Sequence, residues 1–159
     1  MYELNKESMA FKKLKEQLLD TLTHLGYESP LPFQKTMIST IKSGADAFGI
    51  ADSKTGKTTA LIIGVIQRLQ AEAKGDNPRA LIFVENKKQA FELEDAFQVF
   101  LKNTDLRIFT AVEEGNVNLQ KDAIYLGCDI LIATPKRLNK LYFLNGVNIT
   151  QLMMLAIED

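Results

Sequence analysis

The chain has 159 residues, 46% of them apolar and 25% charged, with a formal net charge of −1. That length suits one globular domain with a substantial core. The near-neutral balance excludes a module that binds nucleic acid through strong basic charge alone, while leaving a local basic patch open. One cysteine, Cys128, excludes an internal disulfide and argues against a thiolate metal cluster. The first fifteen residues are polar and carry both charge signs, unlike a secretory signal. The longest apolar or glycine run, Ala60 to Ile66, is far below the ~20 residues that span a bilayer. These features predict a protein of the reducing cytosol with no membrane role.

In chain order, Phe11, Leu14, Leu18, Leu22 and Leu25 recur at helical spacing, predicting a helix from Met9 to Leu25 that Gly26 ends. Pro32 suits the first position of a second helix running through Ile41. Strands are expected at Ala47–Ala51, Ala80–Val84, Leu106–Ala111, Asp129–Ala133 and Met153–Ile157. Helices are expected between them at Lys57–Glu72, Lys87–Leu101, Asn118–Leu126 and Pro135–Tyr142. The strands are apolar on both faces, which suits a mostly parallel sheet with helices on both sides. No internal repeat or low-complexity segment is present.

The strongest chemical signal is Ala51-Asp52-Ser53-Lys54-Thr55-Gly56-Lys57-Thr58, between a predicted strand and a predicted helix. The P-loop pattern is Gly, four residues, then Gly-Lys-Ser/Thr. Here alanine stands first and the Gly-Lys-Thr end is intact. In such a loop backbone N–H groups and the helix start surround a β-phosphate, the lysine reaches the β- and γ-phosphates, and the Thr hydroxyl binds Mg²⁺. Gly-Lys-Thr also occurs by chance at helix starts. Its place after the first strand of an alternating chain favours the phosphate site.

Upstream, Gly26-Tyr27-Glu28-Ser29-Pro30-Leu31-Pro32-Phe33-Gln34 resembles the Q motif of DEAD-box RNA helicases, with Phe11 near the family's isolated upstream aromatic. Thr134-Pro135-Lys136-Arg137 resembles the family's Thr-Pro-Gly-Arg, and Glu158 falls where its Asp-Glu-Ala-Asp box begins. The resemblance covers essentially the whole chain and accounts for Ala51, since the family's P-loop usually starts with alanine. It implies the first of two RecA-like domains, with residues 1–44 carrying the Q-motif helices and 45–159 the P-loop core as one domain together. Phe11 would stack on adenine and Gln34 would bond its edge, with Tyr27 beside them. Ala51, Asp52, Ser53, Lys54, Thr55, Gly56, Lys57, Thr58 and Thr59 would hold ATP. Thr58 and Glu158 would hold Mg²⁺, and Lys57, Glu158 and Asp159 would serve hydrolysis. Lys87, Thr134 and Arg137 would contact RNA. Taken singly, Phe11 reads as a core residue, Gln34 as an exposed helix residue, Thr134 as a helix cap and Arg137 as a solvated side chain.

Several positions depart from the family pattern. Lys54 replaces a glycine, so it either strains the loop or adds charge near the phosphates. Lys87 replaces an arginine, and Glu113-Glu114 replaces a glycine pair near bound RNA, where two carboxylates would repel a nucleic-acid backbone. Glu158-Asp159 inverts the expected Asp-Glu, which predicts slow hydrolysis. The resemblance also implies that the sequence stops before the last strand and the second RecA-like domain, so that this part alone does not unwind RNA. The competing reading is a degenerate, non-enzymatic module that holds a nucleotide or a protein partner.

Overall fold

The computed structural model describes Phe11 and residues 13–159, in two compact units. The first comprises the described residues up to Ala71 with Val99–Thr104, and the second Glu72–Gln98 with Asp105–Asp159.

In the first unit, helix α1 (Glu16–His24) buries Leu18 and Leu22, as their spacing predicts. It ends in a Schellman turn: Gly26 adopts φ +77°, its N–H donates to the Thr23 carbonyl, and the Tyr27 N–H donates to Leu22. The helix is shorter than expected at its start. Met9 lies outside the described residues, and Phe11 is buried in a turn, its carbonyl accepting from the Leu14 N–H at 2.9 Å. Helix α2 (Pro32–Ser43) opens on Pro32 and closes at Gly44 in the left-handed region. Helix α3 (Lys57–Arg68) packs so closely on α2 that a Cβ at Gly64 would meet Ile41 Cδ1 at 2.7 Å. It stops four residues short of Glu72, broken by left-handed Gln70 and Ala71.

The strand expected at Ala47–Ala51 is not formed. A strand exists by pairing, and this segment is outside the ladders, with Phe48 91% and Ile50 83% exposed. Its Gly49 instead lies against Phe33, where a Cβ would come within 2.9 Å of the ring.

The second unit holds β1 (Ala80–Phe83), β2 (Ile108–Ala111), β3 (Ile130–Ala133) and β4 (Met154–Ile157). All three pairings are parallel, in the order β2-β3-β1-β4. Helix α4 (Lys87–Leu101) follows β1, and its residues from Val99 onward belong to the first unit. Helix α5 (Val117–Tyr125) follows β2, and α6 (Pro135–Phe143) follows β3. Leu81, Ala111, Leu131 and Ala133 pack with Ile124 of α5 and Leu138 and Leu141 of α6 in one continuous core. Strand β3 is buried along its whole length. Strand β4 is not: Leu155 and Ile157 are exposed, so this apolar run is covered less than expected.

The strand starts are tied by Asp129. Its buried carboxylate accepts from Arg79 Nη2 at 2.8 Å and Arg107 Nε at 2.9 Å, and from the backbone N–H groups of Lys74 and Arg107, each at 3.0 Å. Burial alone would raise this carboxyl group, but the arginine and backbone donors hold it below the ordinary carboxylate range.

Candidate functional site

In the first unit, the P-loop runs from Ala51 into α3. Gly56 forms the helix boundary at φ 76° and ψ 30°, and contributes no side-chain cap to the N–H groups that open the helix. Lys54 also lies in the left-handed region, at φ 67°. The geometry therefore answers the question its replacement of glycine raised: the position requires positive φ, and the lysine bears the strain. The Thr55 hydroxyl donates to the Asp52 carbonyl at 2.7 Å and closes the turn. Asp52, Ser53, Lys54 and Lys57 are exposed, while Ala51, Thr55, Gly56, Thr58 and Thr59 are half-buried.

Gln34 is 3% exposed and both ends of its amide are engaged. Its Oε1 accepts from the Leu31 N–H at 2.9 Å, capping α2, and its Nε2 donates to the Gly56 carbonyl at 3.3 Å. The glutamine thus couples the Q-motif-like turn to the phosphate loop. Gly56 favours glycine on two counts: its φ is positive, and a Cβ would lie 2.2 Å from Gln34 Nε2 and push that amide aside. Tyr27 is half-buried and its ring meets Phe100 at 5.9 Å between centroids, tilted by 51°.

In the second unit, the parallel strands end on one side, and each is followed directly by residues that the sequence singles out. Lys87 opens α4 after β1 and is exposed. Glu113 follows β2, Thr134 and Arg137 follow β3, and Glu158 and Asp159 follow β4. Open parallel sheets bind ligands beyond such carboxyl ends.

Thr134 sits at the N-cap of α6 but makes no side-chain cap. Its hydroxyl donates to Glu113 Oε2 at 2.5 Å, and Arg137 Nη2 donates to the Glu113 main-chain carbonyl. Arg137 is 5% exposed, so it is not a solvated arginine. The bond from Thr134, aided by the Lys136 and Arg137 charges and opposed by partial burial, holds the Glu113 carboxyl below its ordinary range. The expectation for Glu113 was repulsion of a passing backbone; the geometry gives it a seat against the very residues expected to hold that backbone.

The Glu158 backbone is fastened on both sides. Its N–H donates to the Phe83 carbonyl at 3.0 Å, and its carbonyl accepts from Gln89 Nε2 at 3.0 Å. Gln89 Oε1 also accepts from the Glu85 N–H, at 2.7 Å. The sequence carries one signal for Gln89, its position three residues after Asn86 at a helix start, where the Asn86 side chain accepts from its N–H at 3.0 Å. Among the described residues, no group of three His, Cys, Asp or Glu side chains is placed to hold a metal. No helix among them is long and apolar enough to cross a membrane.

The DEAD/DEAH box helicase family profile matches residues 31–159. The chain is 31% identical over 132 residues to the Dictyostelium discoideum ATP-dependent RNA helicase ddx23, covering 79% of this chain and 16% of that protein. It is 34% identical over 126 residues to ATP-dependent RNA helicase dbp10 of Schizosaccharomyces pombe, covering 78% and 15%. It is 32% identical over 142 residues to the Neurospora crassa pre-mRNA-processing ATP-dependent RNA helicase prp-5, covering 87% and 12%. The chain therefore spans a small part of the length of these relatives. In fold it superposes on the yeast DEAD-box splicing factor Prp28 with a TM-score of 0.81 at 24% identity, covering 91% of this chain and 36% of that one. The parallel sheet with its helices is that of the DEAD-box RecA-like domain, and the chain belongs to the DEAD/DEAH box helicase family.

Proposed function

We propose that this chain is the ATP-binding domain of an RNA-dependent ATPase of the RNA-helicase type. The observation that carries the reading is the turn at Gly56. It places a left-handed glycine at the start of α3 with no side-chain cap, and Gln34 holds its carbonyl from the Q-motif-like helix. A helix start of this kind receives phosphate oxygens on its N–H groups and its positive dipole end. The residue types suit a nucleotide with Mg²⁺: Lys57 would hold the β- and γ-phosphates, the Thr58 hydroxyl would be the protein's metal ligand, and the family pattern would give Glu158 a supporting role at the ion. Mg²⁺ at phosphates needs few protein ligands, so the lack of an all-protein cage among the described residues is compatible with it. When bound, the ion neutralises charge that develops on the transferring phosphoryl group. Asp159 would orient the attacking water, with a shorter arm than the family's glutamate. Phe11 and Tyr27 serve the adenine side. Lys87, Thr134 and Arg137 form the RNA face, and unwinding belongs to the whole protein with a second RecA-like domain. The setting is the cytosol.

The test is a calorimetric titration of the chain with ADP and with GDP in the presence of Mg²⁺, repeated on Gln34→Ala. The reading expects ADP to bind more tightly than GDP and the preference to vanish in the variant. Absence of binding by either nucleotide overturns it.

A second reading, a nucleotide-holding module without turnover, is favoured by Lys54 in its strained conformation and by the inverted Glu158-Asp159 pair. In a protein that carries both RecA-like domains, the triple change Lys54→Gly, Glu158→Asp and Asp159→Glu separates the two. A gain in RNA-stimulated ATPase rate supports the first reading, and no gain supports the second.

A further inference from the structure

The loop after β2 is built to hold one side chain in place. The Val112 carbonyl accepts from the Gly115 N–H at 3.2 Å and from Gln120 Nε2 at 3.0 Å, and Gln120 is buried. A Cβ on Gly115 would lie 2.1 Å from Gln120 Nε2, so a larger residue there would push that amide aside. On this turn sits Glu113, whose carboxylate takes the Thr134 hydroxyl and whose carbonyl takes Arg137 Nη2.

What Glu113 faces is an anion-binding arrangement. A cavity of about 560 Å³ is lined by Lys136, Arg137 and Lys140, with Glu113 as its one carboxylate. Arg137 is nine-tenths buried, yet its Nε and Nη1 have no hydrogen-bond partner among the described residues. A buried guanidinium with open donors is costly unless an acceptor arrives. The Thr134 hydroxyl, at the head of α6, is turned to the carboxylate rather than to its own helix. The donor set of hydroxyl, guanidinium and helix start suits a phosphate oxygen at least as well as a carboxylate.

We propose that the Glu113 carboxylate is an internal stand-in for phosphate: it takes the Thr134 hydroxyl beside the open donors of Arg137, and a phosphodiester group of single-stranded nucleic acid must displace it to bind there. The inference rests on the RNA-face reading of Thr134 and Arg137 and adds its regulation. Glu113 lowers the basal affinity of this face and makes engagement conditional on strand contacts elsewhere that offset the displacement. Glu114, its neighbour, is exposed as Glu113 is and carries the same charge without this contact, so it provides the control.

The experiment compares the unaltered chain with Glu113→Ala, Glu113→Gln and Glu114→Ala, each checked for folding by circular dichroism. Two probes are used: inorganic phosphate, followed by NMR at the Thr134 amide and the Arg137 Nε–H, and a fluorescent oligouridylate, followed by anisotropy over a salt series. Glu113→Ala is expected to shift both NMR signals at phosphate concentrations that leave the unaltered chain unmoved. It is expected to bind oligouridylate about tenfold more tightly, with a salt slope steeper by about 0.7, the value for one added phosphate contact on a single strand. Glu113→Gln falls between, and Glu114→Ala changes affinity no more than about twofold. Phosphate binding without oligouridylate binding upholds the seat and overturns the RNA-face reading. Unchanged phosphate response in both folded Glu113 variants overturns the proposal, as does an equal gain from Glu114→Ala.

Discussion

The side-chain amide of Gln34 donates to the Gly56 carbonyl at 3.3 Å, so one glutamine joins the start of α2 to the turn that opens α3. Gly56→Ala therefore carries two separable costs, a Cβ in a left-handed conformation and a clash with Gln34 Nε2. Gly56→Ala alone is expected to abolish ADP binding in a calorimetric titration. The double variant Gly56→Ala with Gln34→Ala relieves the clash but retains the conformational cost of about 1 kcal/mol. Its thermal midpoint should lie above that of the single glycine variant. Equal midpoints would show that Gln34 yields without cost and is not a rigid tether.

Lys54, at φ 67°, tests the strain directly. A β-branched residue tolerates positive φ worst, and glycine best. Lys54→Val is expected to destabilise the chain by about 1–2 kcal/mol in urea unfolding, whereas Lys54→Gly leaves it unchanged or firmer. The same pair separates strain from charge. If Lys54 serves mainly as a phosphate cation, both substitutions weaken ADP binding alike; if it is mainly strained, Lys54→Gly binds as well or better.

The sequence patterns that are local in cause were legible. Leu18 and Leu22 at helical spacing, Gly26 in its left-handed turn, Pro32 at a helix start and the apolar runs of β1 and β3 all stand where their chemistry predicts. Ala47–Ala51 misled because β propensity at Phe48 and Ile50 reports a preference for pairing, not a partner. The exposure of Leu155 and Ile157 was equally hidden, since an apolar run does not say how many layers cover it. In the site, residue types were readable and their partners were not. Thr134 has the sequence position of a cap, and only the folded loop brings Glu113 within 2.5 Å to claim its hydroxyl. Asp129 gave no signal, because its two arginines lie 50 and 22 residues away.

Cys128 is buried, with its thiol donating to the Ile130 carbonyl at 3.1 Å. Burial, reinforced by the Asp129 carboxylate, pushes this thiol up to about 12. The thiolate is the reactive form, so iodoacetamide at pH 8 should leave the folded chain unmodified and label it fully in urea, as read by mass spectrometry. Rapid labelling of the folded chain would contradict the burial of this position. The linkage has a second consequence: the stability contributed by the neutral thiol is intact below the ordinary value of 9.0 and is lost as pH climbs toward about 12.

Asp129 sets the acid limit. Its carboxyl is held below the ordinary 3.8 because Arg79, Arg107 and two backbone N–H groups bond its charged form, outweighing burial. A depressed folded-state value means that this stabilisation is fully present above the unfolded-state value and is lost as pH falls through the folded one. Urea midpoints should therefore hold steady down to about pH 4 and then fall, with Asp129 contributing to the slope below that point. Asp129→Asn leaves two arginines facing a neutral amide, one of them buried, and should cost about 3 kcal/mol at pH 7. The same substitution should flatten the acid slope, because the group that titrates is gone. A variant as stable as the parent at pH 7 would reduce this cluster to a surface ornament, and an unchanged acid slope would assign acid sensitivity to other carboxylates.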